Sequence, residues 1–592
     1  MVRPRVLGSR RLRGLSVLVL TLASLRVASA EPVPQSRRID WTYTGVPGGI
    51  PNRTNICATF SPGATASAIN TAIASCSSGG GGVVKLNAGT YNITGIKVSS
   101  SNVTLRGAGA DKTILKGGDI VDLGSGYNVS SGIAITGGGT KDTSTFTVGS
   151  TSGLSINQMI ELDRDDDPAV VVSTIGGSRY MRQVNLITAI TGNAITVKNP
   201  LFVDFNTGNP KIKFTFVTVS MSGIEDVKLD HSAAGSGTNL SWQYCYACWL
   251  KGVESYKPAG YHMVILGTLN MEVRDSFIHD AQTSGNNNAG MAVYGSPPYG
   301  SNSSGKIENN IFDRLFPAIE MQNSSSGFYI GYNYGYGSMA APTNAPVTWM
   351  FTDNHGPHDM MNLWEGNVSE LFGSDGYFGG SSHGTVVRNY FTGFNPIFLS
   401  TSDPIRFNRL SYYYNLVGNV LGSTQLNPSK YVEVADNCGG NCDAIYRLGY
   451  PNIGNQSLTD QTGNAVPGGM TYPDAKVAST LLRWGNYDYF HHSTQWNPSE
   501  IPAAVTVPGD QVIAKSYYYS SRPAWFNAGV PWPPIGPDVT GGNGDTSGHV
   551  NKLPAQLCWE TRNLVGGGTF SASVCYPTTP VPSAPTNLRI IR

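Results

Sequence analysis

Short apolar segments separated by glycine and polar turns run along most of the chain. Residues 83–91, 96–98 and 103–107 are of this kind, with valine, isoleucine and leucine between turn-forming residues. Residues 62–76 differ, because small apolar residues recur there at helical spacing, with serine and threonine near the start. The pattern therefore predicts one short amphipathic helix followed by many short strands.

A unit built around an asparagine or aspartate recurs between residues 216 and 425. Its polar positions are separated by 35, 23, 34, 22 and 30 residues, and they are Asp275, Asn310, Asn333, Asn367, Asn389 and Asn419. One coil of a parallel β-helix has about this length, with longer coils carrying loops. We predict that these side chains stack as a hydrogen-bonded ladder at one turn of successive coils, which gives them a structural role.

The N-terminal residues carry a resemblance to a known superfamily. The segments GGGVVKLNAGTYNI and SNVTLRGAGADKTIL, within residues 60–117, combine a helix, a glycine-rich break and strand turns in order. They resemble the opening coils of the pectate-lyase-like superfamily of right-handed parallel β-helix carbohydrate-active proteins. The resemblance implies an all-β fold, a single-stranded right-handed parallel β-helix with an N-terminal capping helix. It leaves the activity open, because the superfamily includes lyases, glycoside hydrolases, epimerases and phage tail spikes.

Other segments depart from the coil repeat. Residues 133–215 alternate apolar and polar positions between hairpin turns, which predicts a β insertion outside the main coil. We predict the following division: signal peptide 1–30, cap and first coils 31–132, β insertion 133–215, β-helix with the active site 216–480, aromatic and proline-rich segment 481–575, and disordered tail 576–592.

Composition and charge narrow the class of protein. The 592 residues include 71 Gly and only 13% charged residues, with 40 basic and 39 acidic side chains. Six of the arginines lie in residues 1–30. The same segment contains a run of apolar residues and ends in Ala-Ser-Ala. This is typical of a secretory signal, so we expect a secreted or periplasmic protein without a membrane span. The remaining chain is acidic, which argues against a nucleic-acid partner.

The cysteines are grouped in a way that predicts local disulfides in an exported chain. The expected pairs are Cys57 with Cys76, Cys245 with Cys248, Cys438 with Cys442, and Cys558 with Cys575. A four-thiolate metal site built from Cys245, Cys248, Cys438 and Cys442 is the alternative.

Counting back from the ladder brings polar residues of three successive coils toward one surface. The candidate catalytic residues are Glu320, Asp353, His355, His358, Asp375 and His383. Carboxylates one or two coils apart are separated by roughly 5–10 Å, the range used in glycoside hydrolysis. The predicted substrate-binding residues are Tyr294, Gln322, Trp349, Asp359, Tyr377 and Arg388, which could stack on or hydrogen-bond to sugar rings.

Charge guides the choice of reaction. Residues 271–400 contain 11 acidic and 4 basic residues, so a uronate-rich polymer would be repelled from them. We predict a monomeric glycoside hydrolase that acts on a neutral or mildly charged polysaccharide through paired carboxylates. One alternative is a lyase that uses His358 or Arg388 as base. The other is a non-catalytic glycan-binding protein of tail-spike or adhesin type.

No cofactor is required by this chemistry, but calcium is possible. The acidic run of residues 163–167 could bind Ca²⁺ through several carboxylates, and a solvated acidic loop is the alternative. Metal ligation by His355, His358 and His383 with a carboxylate is a further possibility.

Overall fold

Three parallel sheets form the walls of the molecule, because each coil contributes one short strand to each sheet. A computed structural model describes residues 1, 31–174, 177–282, 290–294, 300–339, 350–434, 444–450, 473–526 and 529–577. The predicted all-β fold, a right-handed parallel β-helix, is confirmed. The signal segment, Trp349, Cys438, Cys442 and most of the predicted disordered tail lie outside the described residues.

Sheet A contains 12 strands among the described residues. They are Ile56–Phe60, Gly82–Leu86, Val103–Arg106, Gly223–Glu225, Trp249–Lys251, Glu272–Arg274, Lys306–Glu308, Tyr329–Gly331, Leu363–Glu365, Thr385–Val387, Asn415–Val417 and Leu482–Trp484.

Sheet B follows sheet A in each coil. Its described strands are Gly89–Asn92, Thr113–Lys116, Lys228–Asp230, Glu254–Tyr256, Phe277–His279, Ile311–Asp313, Tyr334–Tyr336, Val368–Ser369, Tyr390–Phe391, Val420–Leu421, Asn486–Asp488 and Ser493–Gln495. The last strand pairs antiparallel to its neighbour, whereas the others are parallel.

Sheet C completes the coil. Its described strands are Ile96–Val98, Val121–Leu123, Leu240–Gln243, Met263–Leu266, Met291–Tyr294, Ile319–Gln322, Phe351–Thr352, Phe372–Ser374, Ile405–Asn408, Ala444–Tyr450 and Lys430–Glu433. Short two-stranded pairings lie between the sheets, and their strands are Val219–Ser220 with Cys245–Tyr246, Ser381–Ser382 with Ser411–Tyr412, and Phe394–Asn395 with Ser400–Thr401.

Stacked apolar side chains fill the space between the sheets. In sheet A the inward row runs in register through Val273, Ile307, Ile330, Trp364, Val386 and Leu416, all fully buried. Burying a large apolar side chain stabilises a fold by about 1.5–3 kcal/mol. This repeated burial explains why strands of only three residues are stable here.

The asparagine ladder forms at the turn between sheets A and B. From Asn333 onward, each ladder Oδ1 accepts the backbone N–H and a side-chain N–H of the preceding ladder asparagine at 2.8–3.1 Å. The ladder asparagines are Asn310, Asn333, Asn367, Asn389, Asn419 and Asn486. These amides are buried, so the ladder satisfies polar groups that water does not reach.

The placement of Asp275 in the ladder is wrong by one residue. Ser276 occupies the ladder position, since its N–H donates to Asn310 Oδ1 at 3.1 Å. Asp275 has a φ of 53° and takes the left-handed position before it, as Asn309 does with a φ of 56° in the next coil. Asp275 Oδ1 accepts a bond from Asn309 Nδ2 at 2.7 Å, so the two side chains pair beside the ladder.

The predicted N-terminal helix is Ala66–Ser78, and it caps the open end of the coil. Thr65 accepts a hydrogen bond from Ala68 N–H, which begins the helix, while Ile69 and Ile73 are buried against the first strands. The other helices are Ala475–Thr480, Pro554–Thr561 and Ala572–Cys575, with single 3₁₀ turns at Gln35–Arg37, Pro498–Glu500, Gly544–Thr546 and Leu564–Gly566. No helix among the described residues could cross a membrane.

A small closed barrel stands beside the coil. Its strands are Tyr127–Gly138, Thr145–Val148, Met159–Arg164, Met181–Thr191, Ala194–Val197 and Lys211–Val217. Ile160, Leu162 and Ile187 lie in its own apolar core, which explains the alternating pattern of the sequence. Glu161 of the barrel accepts the N–H of Ser301 at 2.6 Å and so joins the barrel to the coil.

The two terminal segments pack along the outside of the coil. Before the first strand, Trp41 donates to Met361 O at 2.7 Å, and Arg37 donates to Thr480 O at 2.8 Å. After the last strand, Tyr518 stacks on Tyr329 of sheet A at 3.9 Å, and other aromatic residues reach sheet B. The described parts of these segments therefore cover sheets A and B.

Disulfides join Cys57 to Cys76, Cys245 to Cys248, and Cys558 to Cys575, as expected. Because Cys245 and Cys248 are bonded to each other, they are not thiolate ligands of a metal. The pairing of Cys438 with Cys442 stays a prediction.

Replacing Asn333 by alanine should lower the free energy of unfolding by about 1–3 kcal/mol. The substitution leaves the N–H groups of Asn310 without their buried acceptor and frees Asn367 Oδ1. Chemical denaturation measures the change, with Asn206→Ala at an exposed position as control. Equal stability of the two variants would contradict a structural ladder.

Candidate active site

The outward row of sheet C carries polar groups that are largely buried, since Glu320 is 7% exposed and Thr352 and Arg406 are each 1% exposed. Five positions lie in register on adjacent strands, and they are Ala292, Glu320, Thr352, Gly373 and Arg406. Side chains alternate along a strand, and Ile319 and Met321 enter the core, so Glu320 faces outward. Gly373, between Thr352 and Arg406 in this row, has no side chain.

His355 and Asp375 form a close pair beside Glu320. The backbone N–H of His355 donates to Met321 O at 2.9 Å, which holds His355 next to the strand of Glu320. His355 Nδ1 lies 2.5 Å from Asp375 Oδ2, and Asp375 Oδ1 accepts the N–H of Tyr377 at 2.9 Å. The side chain of His355 is 31% exposed and that of Asp375 is 1% exposed, so solvent contacts the imidazole rather than the carboxylate.

The pKa values of His355 and Glu320 are both raised, but by different causes. Burial lowers the pKa of His355, but the carboxylates of Asp375 and Glu320 outweigh it, and the pKa rises to about 9. Burial raises the pKa of Glu320; His355 opposes part of this effect, whereas Asp375 adds to it. At neutral pH His355 is therefore an imidazolium that donates from Nδ1 to Asp375.

Two aromatic side chains border the imidazole, and the barrel holds them there. Tyr377 lies parallel to the His355 ring at 6.4 Å, and Phe378 meets it edge-on at 4.9 Å. Thr174, in a loop of the barrel, donates from Oγ1 to Tyr377 O at 2.6 Å and from its backbone N–H to Phe378 O at 3.0 Å. The sequence places the barrel outside the coil and provides no signal for this contribution to the site.

Asp353 and Asp359 lie behind the face and not on it. Asp353 is fully buried and accepts hydrogen bonds from Asn362, Trp364 and Tyr414 at 2.8–3.0 Å. Asp359 is also fully buried and accepts the N–H of Ser325 at 2.6 Å. Neither carboxylate is accessible to a polysaccharide, which corrects the expected catalytic role of Asp353 and the expected substrate contact of Asp359.

His358 and His383 form a separate cluster. Both rings contact Ser382 Oγ, His358 through Nε2 at 2.8 Å and His383 through Nδ1 at 2.7 Å. Burial lowers their pKa values to about 4 and about 3, so both are neutral at neutral pH. His358 is fully buried and His383 stacks on Tyr413 at 5.1 Å. Neither ring shares a contact with the imidazole of His355, which pairs with Asp375, so the three histidines do not form the one cluster that was expected.

Arg388 is not a substrate-binding residue. It lies at the turn between sheets A and B, is 1% exposed, and donates to both carboxylate oxygens of Asp538 in the C-terminal segment.

Gln322 lies two residues beyond Glu320 on the same strand and is paired in register with Tyr294 of the preceding strand. Their roles in substrate binding, like that of Trp349, stay predictions.

Arg406 is a polar residue of this face that the sequence did not single out. It donates from Nε to Asp403 Oδ2 at 2.8 Å, and its Nη1 has no hydrogen-bond partner among the described residues. Only the strand register connects Arg406 with Glu320, because 86 residues separate them in the sequence.

The acidic run of the barrel is paired with cations. Asp163 and Asp165 both bind Arg179, and Asp166 accepts the N–H groups of Arg179 and Tyr180. Among the described residues, no three histidine, cysteine or acidic side chains are grouped to hold a metal ion. Calcium binding stays a prediction.

Solved structures with the same kind of fold include three proteins from different sources. The tailspike gp49 from Pseudomonas phage LKA1 has 12% identity and a TM-score of 0.38, over 64% of this chain and 70% of that one. The A-module of mannuronan C-5 epimerase AlgE4 from Azotobacter vinelandii has 15% identity and a TM-score of 0.32, over 66% and 95%. The catalytic unit of a GH87 α-1,3-glucanase from Streptomyces thermodiastaticus has 12% identity and a TM-score of 0.31, over 64% and 55%.

These similarities concern the fold alone and carry no information on activity. No family model and no curated protein matches the chain in sequence.

Replacing Asp375 by asparagine should lower the pKa of His355 from about 9 toward the ordinary value of about 6.5, because the paired carboxylate is removed. An NMR titration of ¹⁵N-histidine-labelled protein follows the ring directly. Asp353→Asn is the matched control, since Asp353 is two residues away in sequence but does not contact the ring. An unchanged His355 titration in Asp375→Asn would show that the pair does not form.

Proposed function

We propose that the protein is an exported glycoside hydrolase that cleaves a neutral or mildly charged polysaccharide on the outward face of sheet C. The observation that carries this proposal is the grouping of Glu320, His355 and Asp375. An exposed imidazolium, a carboxylate behind it and a second carboxyl group beside it supply an acid and a base in one place.

His355 is the proposed general acid. Its Nδ1–H is directed to Asp375, so the other ring nitrogen, Nε2, is available on the exposed side of the ring. A pKa near 9 keeps the proton on the ring at neutral pH, which suits donation to the leaving glycosidic oxygen. Asp375 acts as a positioning residue, since it orients the ring and keeps it charged.

Glu320 is the proposed general base. Its Oε1 has no hydrogen-bond partner among the described residues, and burial brings its pKa above the ordinary value of about 4.3. A carboxylate with a pKa closer to neutrality accepts a proton from water more readily. Attack by that water forms a hemiacetal whose anomeric configuration is inverted, and the leaving oxygen takes its proton from His355.

Two further observations support hydrolysis of a glycan. Tyr377 and Phe378 place aromatic rings beside the imidazole, where a sugar ring can stack. The bases considered for a lyase, His358 and Arg388, are both buried and engaged with Ser382 and Asp538. Elimination would therefore need a base other than these.

The variant Glu320→Gln should lose activity by about 10²–10⁴-fold, because glutamine cannot accept the proton of water. Release of reducing ends is measured from a panel of soluble glucans, galactans, mannans, xylans, polygalacturonate and alginate. The control is Glu370→Gln, a buried glutamate that binds the backbone N–H groups of Gly337 and Ser338 and should leave activity unchanged. Full activity of a folded Glu320→Gln variant would overturn the assignment.

The pH dependence of kcat/KM should have an alkaline limb near 9, where His355 loses its proton. In Asp375→Asn this limb should move to lower pH, because the paired carboxylate no longer stabilises the imidazolium. The acid limb should lie above the ordinary glutamate pKa, since burial raises that of Glu320. An alkaline limb that does not move in Asp375→Asn would exclude His355 as the acid.

A further inference from the structure

A cavity lies on the side of the molecule formed by sheet A, away from the face of sheet C. Its volume is about 350 Å³, near the lower end of the range of about 300–1,000 Å³ that small-molecule sites span. The N-terminal segment forms one wall, strands of sheet A form another, and the barrel and the C-terminal segment complete it. Tyr43, Thr44, Asn199 and Tyr518 supply polar and aromatic groups to its lining.

Two buried side chains in this cavity have unused hydrogen-bonding capacity. Thr44 is 5% exposed, and its hydroxyl has no partner among the described residues. Asn199 is 1% exposed; its Nδ2 donates to Ser304 Oγ at 3.0 Å, but its Oδ1 has no partner among the described residues. A buried polar atom without a partner destabilises the fold, so both oxygens favour a ligand that hydrogen-bonds to them.

Three of the four charged side chains that line the cavity are paired, which favours an uncharged ligand, whereas the exposed Lys198 has no ion pair among the described residues. Lys306 lies 3.0 Å from Glu308, and Arg274 donates to Asp275 at 2.9 Å. Glu272 Oε2 accepts the N–H of Val46 at 3.1 Å. A ligand with its own charge would disturb these pairs, whereas the hydroxyl groups of a neutral polyol can bond to them without replacing them.

We propose that this cavity is a second carbohydrate-binding site that takes one uncharged sugar residue. Thr44 and Asn199 bind its hydroxyl groups, and the phenol rings of Tyr43 and Tyr518 provide apolar surface for the sugar ring. The site does not use Glu320, His355 or Asp375, so it is independent of the proposed hydrolytic reaction. The N-terminal segment, sheet A, the barrel and the C-terminal segment all line the cavity. A sugar bound there would therefore contact all four and hold the barrel and both terminal segments to the coil.

The test uses D-glucose, D-galactose, D-mannose, D-xylose and N-acetyl-D-glucosamine as probes in saturation-transfer NMR. At least one sugar should bind, and the variant Thr44→Val should weaken its affinity about tenfold through the loss of one hydrogen bond. Thr44→Val should melt no earlier than the parent protein, because the hydroxyl has no partner to lose.

Two control variants locate the bound sugar. Ser423→Ala removes a buried hydroxyl that also lacks a described partner but lies outside the cavity, so it should leave binding unchanged. Glu320→Gln should also leave binding unchanged, whatever its effect on activity. The proposal is overturned if none of the sugars binds, if Thr44→Val binds as the parent does, or if Glu320→Gln abolishes binding.

Discussion

The hydrogen-bonded register between coils is the constraint on which the rest of the structure depends. Ladder asparagines bond both to the next ladder residue and to a backbone carbonyl of the coil before, as Asn333 Nδ2 does with Ile307 O at 2.9 Å. A shift of register by one residue would turn every inward side chain outward. The ladder therefore determines that Glu320 and Arg406, on strands far apart in sequence, share one row of sheet C.

The position of the candidate site depends on where the terminal segments pack against the three sheets. Sheets A and B are covered in part by the terminal segments, so polar groups there, such as Arg388 with Asp538, are used in packing. On sheet C, His355 keeps an exposed edge while Asp375 is buried behind it. Under the proposed function, this difference in exposure separates the group that contacts substrate, His355, from the group that keeps it charged, Asp375, although the two side chains touch.

Much of the fold could be predicted from the sequence, because the coil repeat and the N-terminal helix are local patterns. Counting back from the ladder also brought Glu320, His355 and Asp375 to one surface. The prediction failed where side-chain direction decides the environment: Asp353 follows Thr352 on the strand, so alternation turns it into the core. The contact of Thr174 with Tyr377 could not be predicted, because it depends on how the barrel docks on the coil.

The central claim is that the face of sheet C that carries Glu320, His355 and Asp375 activates a water molecule, which then hydrolyses a glycosidic bond. Digestion of the responsive polysaccharide in water enriched in oxygen-18, followed by mass spectrometry of the fragments, tests it most directly. Hydrolysis predicts one oxygen-18 at the new reducing end of each fragment. An unsaturated fragment that lacks the label would show elimination, and an unchanged polymer across the whole panel would show a glycan-binding protein without this activity.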